Sequence, residues 1–136
     1  MKRTATAIWN GSGKEGSGNL TTQSSTLNKT QYSYKSRFEQ GVGTNPEELI
    51  AAAHAGCFAM ALSFALQGAG LTADTLDVTA EITLDNGTIT TSHLVLKAKI
   101  PGVTPEKFQE LAAGAKAGCP VSKVLNAAIS LDASLV

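Results

Sequence analysis

Charge is scarce in this chain. Only 16% of its 136 residues are Asp, Glu, Lys or Arg, against about a quarter in ordinary soluble domains. Eleven basic residues cancel eleven acidic ones, so no overall field draws the molecule to nucleic acid or to anionic lipid. So thinly charged a surface also implies that part of it is covered, most simply by a second copy of the chain. Aromatic residues number only seven, against 20 alanines, so the core must rely on small side chains and close helix approach. Cysteine is limited to Cys57 and Cys119, which excludes a disulfide framework, and neither belongs to a C-x-x-C motif. Histidine is limited to His54 and His93, without the clustered spacing of a metal site. The glycines from Gly11 to Gly18 lack the strand-to-helix frame of a phosphate loop, no Ser-His-Asp order stands out, and there is no internal repeat. The N-terminal MKRTATAIWNGSG passes from a basic start to alternation rather than to an apolar run, so no secretory signal is expected. The expected compartment is the cytoplasm, where paired thiols are either inert core residues or redox-active.

What is present fits a single domain over 1–136. Residues 1–44 read as strands and turns: alternation over Arg3–Ile8, a Gly/Ser turn, then strand candidates at Leu20–Ser24 and Gln31–Phe38. Asn45-Pro46-Glu47-Glu48 is a helix start. Asn45 can cap, Pro46 suits the first helical position, and Glu48 stands where a capping box places its acid. Leu49–Leu66 follows, with His54 and Ser63 as its only polar side chains. Such a run is either a membrane span or a core helix. Its alanine richness and the absence of a basic anchor favour the core helix. Val78–Leu84 and Ile89–Ile100 alternate about the hairpin signal Asp85-Asn86-Gly87. Thr104-Pro105-Glu106 starts a helix with Phe108, Leu111, Ala112 and Ala115 on one face. Gly118-Cys119-Pro120 breaks it, and a short helix over Pro120–Asn126 and a strand over Ala127–Leu135 complete an α+β order.

Cys57 lies within the apolar helix, a setting that raises a thiol pKa and makes it inert unless a cation reaches it. Arginine stays charged when buried, and only Arg3 and Arg37 exist. Arg37 could equally be a surface residue paired with Glu39. Cys119, followed by Pro120, sits where it would cap a short helix whose free N–H groups favour a thiolate. It could also be a small residue in a tight break. Residue chemistry alone leaves open which cysteine attacks and which resolves. Glu47 precedes Cys57 by ten residues. On one straight helix that is about 15 Å of rise and about 80° of angular offset, so the two cannot touch there. Glu47 either caps the helix or serves a site that another subunit completes. His54 shares a helix face with Cys57, and a satisfied core histidine is the favoured reading over half a metal site.

Arg37-Phe38-Glu39, the run from Gly43 to Ile50, the run from Ala52 to Ser63, and Lys116-Ala117-Gly118-Cys119-Pro120-Val121-Ser122 closely resemble the OsmC branch of the OsmC/Ohr family, and the resemblance runs along the whole chain. It implies an α+β fold with antiparallel sheets around a buried central helix, in an interlocked homodimer with two interface sites. It also implies a thiol peroxidase of oxidative or osmotic stress defence that reduces organic hydroperoxides, and hydrogen peroxide less well. By motif, Cys57 would be the peroxidatic cysteine and Cys119 the resolving one, with Arg37 activating Cys57 and Glu47 orienting Arg37. A dithiol reductant, of the dihydrolipoyl type in the family, would restore the thiols. No metal, flavin or haem would be required, and neither nucleic acid nor membrane is an expected partner. Two alternatives stand beside this reading. One is a non-catalytic stress or small-ligand-binding protein of the same fold; the other is a metal-binding protein using His54, Cys57 and Cys119.

Overall fold

Helix caps and turn residues divide the chain into six strands and four helices in a computed structural model that describes residues 1–136. These elements fall into two units, Met1–Leu49 and Ile50–Val136.

In the first unit β1 (Ala5–Asn10), β2 (Ser17–Thr22) and β3 (Thr30–Ser33) form an antiparallel sheet in that order. Trp9, Gly18 and Tyr32 share one row across the three strands. The two rings close over Gly18 with centroids 5.3 Å apart. A Cβ on that glycine would come within 2.7 Å of ring carbons of both, so the row needs a residue without a side chain. Every residue of β1 is exposed within the single chain.

The expected strand over Gln31–Phe38 stops at Ser33, and α1 (Tyr34–Phe38) takes its second half. The aromatic alternation there reads as strand, but Ser33 and Ser36 form a capping box. Ser33 Oγ accepts the Ser36 N–H at 3.2 Å and Ser36 Oγ accepts the Ser33 N–H at 2.8 Å. This local pairing turns the backbone into a helix. Gly43, at φ 112°, lies so close to β3 that a Cβ would overlap the Gln31 carbonyl oxygen. Thr44 N–H then donates to that oxygen at 2.9 Å, and α2 (Pro46–Gly68) starts from this anchored point.

In the second unit β4 (Thr75–Asp85) and β5 (Thr88–Lys99) form the expected hairpin. Its two loop residues, Asn86 at φ 46° and Gly87 at φ 78°, both occupy the left-handed region, as a type I′ turn requires. β6 (Ala128–Leu135) joins β5 in parallel, so the expectation of antiparallel sheets holds for every ladder but this one. The physical reason is the connection, because α3 (Pro105–Gly118) and α4 (Pro120–Val124) carry the chain back along the sheet. Leu94, Leu96 and Ala98 alternate inward from β5 and pack with Phe58, Leu62 and Leu66 of α2 and Phe108, Ala112 and Ala115 of α3.

Although apolar on all sides, α2 buries one stripe within the chain: His54, Phe58, Leu62 and Leu66, four residues apart. Its length and composition would suit a membrane span, yet this stripe belongs to the core. Met60 and Phe64, 64% and 65% exposed, lie off it.

Candidate active site

The four expected site residues fall into two contacting pairs, one in each unit. In the first unit Asn45 caps α2, its Oδ1 accepting the Glu48 N–H at 2.8 Å and its Nδ2 donating to the Ser36 carbonyl at 3.2 Å. Glu48 does not complete the expected capping box. Its carboxylate accepts a hydrogen bond from the Thr44 hydroxyl instead. These contacts tie the last turn of α1 to the first turn of α2 and set Arg37 beside Glu47. Arg37 Nη2 donates to Glu47 Oε1 at 2.7 Å, and Nε donates to Oε1 at 3.0 Å and to Oε2 at 3.3 Å. The partner of Arg37 is therefore Glu47 and not Glu39. The Nε–Nη2 edge of the guanidinium is spent on this ion pair, which leaves Nη1 to donate elsewhere. The Arg37 guanidinium carbon also lies 5.0 Å from the Phe38 ring centre. Arg37 and Phe38 line a cleft of about 200 Å³ with Trp9, Tyr32, Tyr34 and Pro46.

In the second unit α2 presents Cys57 from its middle, half-buried, and the α3–α4 junction presents Cys119, fully buried. Cys119 closes α3 through its N–H to the Ala115 carbonyl, 3.0 Å, and opens α4 by accepting the Lys123 N–H at 3.1 Å. The two thiols are free, and their sulfurs stand 2.7 Å apart. A disulfide of about 2.05 Å is a small step from this separation. Cys57 and Pro120 share with Met60, Ala61 and Phe64 the wall of an apolar pocket of about 350 Å³. Met60 lines this wall, whereas Phe58, two residues away on the helix, is core.

The thiols titrate as a pair. Burial, then the contact with Cys119, push Cys57 up, and the Val121 N–H only partly offsets them. Burial opposes ionisation of Cys119 as well, but the Cys57 thiol, the Ser122 N–H and hydroxyl and the Val121 N–H outweigh it and bring Cys119 down. None of the groups acting on Cys57 is a cation.

His54 is fully buried with both ring nitrogens engaged, Nδ1 with Ser92 Oγ at 2.6 Å and Nε2 with Ser122 Oγ at 2.7 Å. This is the satisfied core histidine, with no nitrogen left for a metal. The link from His54 to Ser122 escaped the sequence reading. The signal was present, since Ser122 stands three residues after a helix-capping cysteine and a buried imidazole must find partners.

The chain matches the family described as OsmC-like protein over residues 39–134. It is 47% identical to peroxiredoxin OsmC of Escherichia coli K12 over 133 residues, covering 95% of this chain and 93% of that protein. Among solved structures it resembles the organic hydroperoxide resistance protein OhrB of Bacillus subtilis, with a TM-score of 0.70 and 26% identity, over 96% of this chain and 98% of that one. It also resembles an organic hydroperoxide resistance protein of Elizabethkingia anophelis, with a TM-score of 0.73 and 28% identity, over 100% and 99% of the two chains.

Proposed function

The chain belongs to the OsmC-like protein family, and from that premise we propose that it is a cysteine-based peroxidase that reduces organic hydroperoxides to alcohols, and hydrogen peroxide less well, in bacterial oxidative or osmotic stress defence. The observation that carries the reading is the contact of Cys57 with Cys119 at the wall of an apolar pocket. An alkyl or aryl peroxide can leave water there and meet a thiol that has a second thiol within bonding reach. Cys57 thiolate attacks the distal peroxide oxygen. The S–O bond forms, the O–O bond breaks, and the alkoxide takes up a proton and leaves as the alcohol. Cys57 is then a sulfenic acid. Cys119 condenses with it, the S–O bond breaks, and hydroxide leaves with the thiol proton as water. A dithiol reductant, of the dihydrolipoyl type, opens the disulfide by exchange and is itself oxidised.

Cys57 needs a cation, since burial raises its pKa. Arg37 supplies it, oriented by Glu47 through its Nε–Nη2 edge. The protein works as an interlocked cytoplasmic homodimer with two interface sites, in which Arg37 of one chain serves Cys57 of the other. That arrangement removes the difficulty that Glu47 and Cys57 stand far apart along one helix.

The test is to treat the reduced protein with about one equivalent of cumene hydroperoxide, following free thiols and intact mass beside Cys57→Ser. The expected result is loss of both thiols and of about 2 Da as the disulfide forms in the wild type, with no such bond in the variant. Survival of both thiols in folded protein would leave the non-catalytic binding protein as the better reading.

A further inference from the structure

A proposed mechanism in which Cys119 attacks the oxidised Cys57 asks what readies Cys119. Its sulfur is fully buried, and a buried thiol ordinarily resists ionisation. The chain places a row of polar groups on and behind the helix that Cys119 caps. Cys119 is the N-cap residue of α4 and Ser122 its third helical residue; the Cys119 side chain takes no capping hydrogen bond as the thiol, but Ser122 holds the position from which an N–H and a side chain can turn back toward an N-cap. Behind Ser122 stands His54, 2.7 Å from its hydroxyl, and behind His54 stands Ser92, 2.6 Å from the other ring nitrogen. These four residues come from α4 and its cap, α2 and β5, and His54, Ser92 and Cys119 are fully buried.

We infer that His54 is a positioning residue for the resolving step, holding the Ser122 hydroxyl so that its proton points at Cys119 sulfur. Hydrogen-bond arithmetic fixes the direction of the chain. Ser122 has one hydroxyl proton. If that proton goes to a thiolate, the Ser122 oxygen is free to accept, and the donor facing it is His54 Nε2–H. His54 is then the neutral Nε2–H tautomer, and its Nδ1 lone pair accepts the Ser92 hydroxyl proton. Burial lowers the His54 pKa and so favours this neutral form. Each group in the row is satisfied, and the row ends on the one atom where negative charge must develop. In the opposite tautomer the Ser122 proton turns to the imidazole, and the thiolate loses its hydroxyl donor. The Ser92 hydroxyl can donate to Nδ1 and so accommodates the tautomer that serves Cys119.

This inference rests on the resolving role proposed for Cys119, and it can be tested without peroxide. 5,5′-Dithiobis(2-nitrobenzoate) caps Cys57 as a mixed disulfide and releases one thionitrobenzoate. Cys119 thiolate then attacks Cys57 sulfur, the protein disulfide forms, the mixed disulfide breaks, and a second thionitrobenzoate leaves. The two releases separate the Cys57 step from the Cys119 step. Ser122→Ala is expected to slow the second release about tenfold, the loss of one hydrogen bond to a charged group, while the first release stays within about twofold. Ser122→Thr keeps the hydroxyl and should restore the second rate. His54→Gln places an amide N–H where Nε2–H stood and should retain most of it. His54→Asn reaches only toward Ser92 and should slow the second release as Ser122→Ala does. The double variant His54→Asn/Ser122→Ala should be no slower than either single one, because both cut the same row. A second release at the wild-type rate in Ser122→Ala overturns the inference, as do effects that multiply in the double variant. If wild type completes both releases but ignores cumene hydroperoxide, the peroxidase reading fails while the row is still judged by these rates.

Discussion

Arg37 spends one edge of its guanidinium on Glu47 and keeps Nη1 free. A lysine at this place would keep the charge but lose the fork that fixes its direction. Arg37→Lys is therefore expected to lower kcat/KM for an organic hydroperoxide by about one to two orders of magnitude. Glu47→Gln, which retains an acceptor but not the ion pair, should lower it about tenfold. Steady-state rates with cumene hydroperoxide check both, and a wild-type rate in Arg37→Lys would mean that the charge alone suffices. His54 carries a different expectation. Its folded pKa lies below the usual 6.5 because burial disfavours the imidazolium. Between the two values the unfolded chain binds more protons, so stability falls as the pH drops through about 6.5 toward the folded value, and then levels. The urea midpoint of the wild type should decline over that window, and His54→Gln should flatten the decline. The need for partners at His54 was legible in the sequence, because an imidazole inside an apolar helix must be satisfied. Which partners was not, since Ser92 and Ser122 lie 38 and 68 residues away and meet it only through packing. Likewise the sequence offered Arg37 a choice of acids, and the α1–α2 turn made it for Glu47.

Among the elements, local rules carried furthest where turn and cap chemistry was explicit. Asn86-Gly87 produced its hairpin, Thr104-Pro105 its helix, and Asn45-Pro46 the start of α2. They failed at Tyr34–Phe38, where spaced aromatics imitate a strand and a pair of serines three residues apart decides for helix. They were silent on the parallel seating of β6, which depends on the return path of the chain and not on its residues. Gly18 is an element-scale requirement that only the register reveals. Trp9 and Tyr32 can meet across β2 only because that position has no side chain. Gly18→Ala should force the rings apart at a cost of about 1–3 kcal/mol, read as a lowered unfolding midpoint. Trp9 is the only tryptophan, so its emission should shift toward that of an exposed indole. An unchanged spectrum would mean that the strand, rather than the rings, gives way.

At the scale of the molecule, one chain leaves much undone. The apolar helix α2 buries a single stripe and exposes Met60 and Phe64, and β1 is exposed along its whole length. Apolar side chains exposed on a helix in this way mark an interaction site, and a chain with so little charge has few means of keeping them in water. A second copy covers them in the proposed homodimer. Phe64→Asp should then shift the particle mass by light scattering from two chains toward one, while the monomer core formed by Phe58, Leu62 and Leu66 remains. A dimer also permits a test of where the catalytic charge comes from. Arg37→Ala and Cys57→Ser each remove one half of a site and should each be inactive. Refolded together in equal amounts, about half of the dimers are mixed. If Arg37 serves Cys57 of the other chain, each mixed dimer pairs the intact arginine of one chain with the intact cysteine of its partner. One of its two sites is whole, and the mixture recovers about a quarter of wild-type activity. If Arg37 serves the cysteine of its own chain, every site in the mixture lacks one member and no activity returns. The recovered rate therefore separates a site shared between subunits from one built within each.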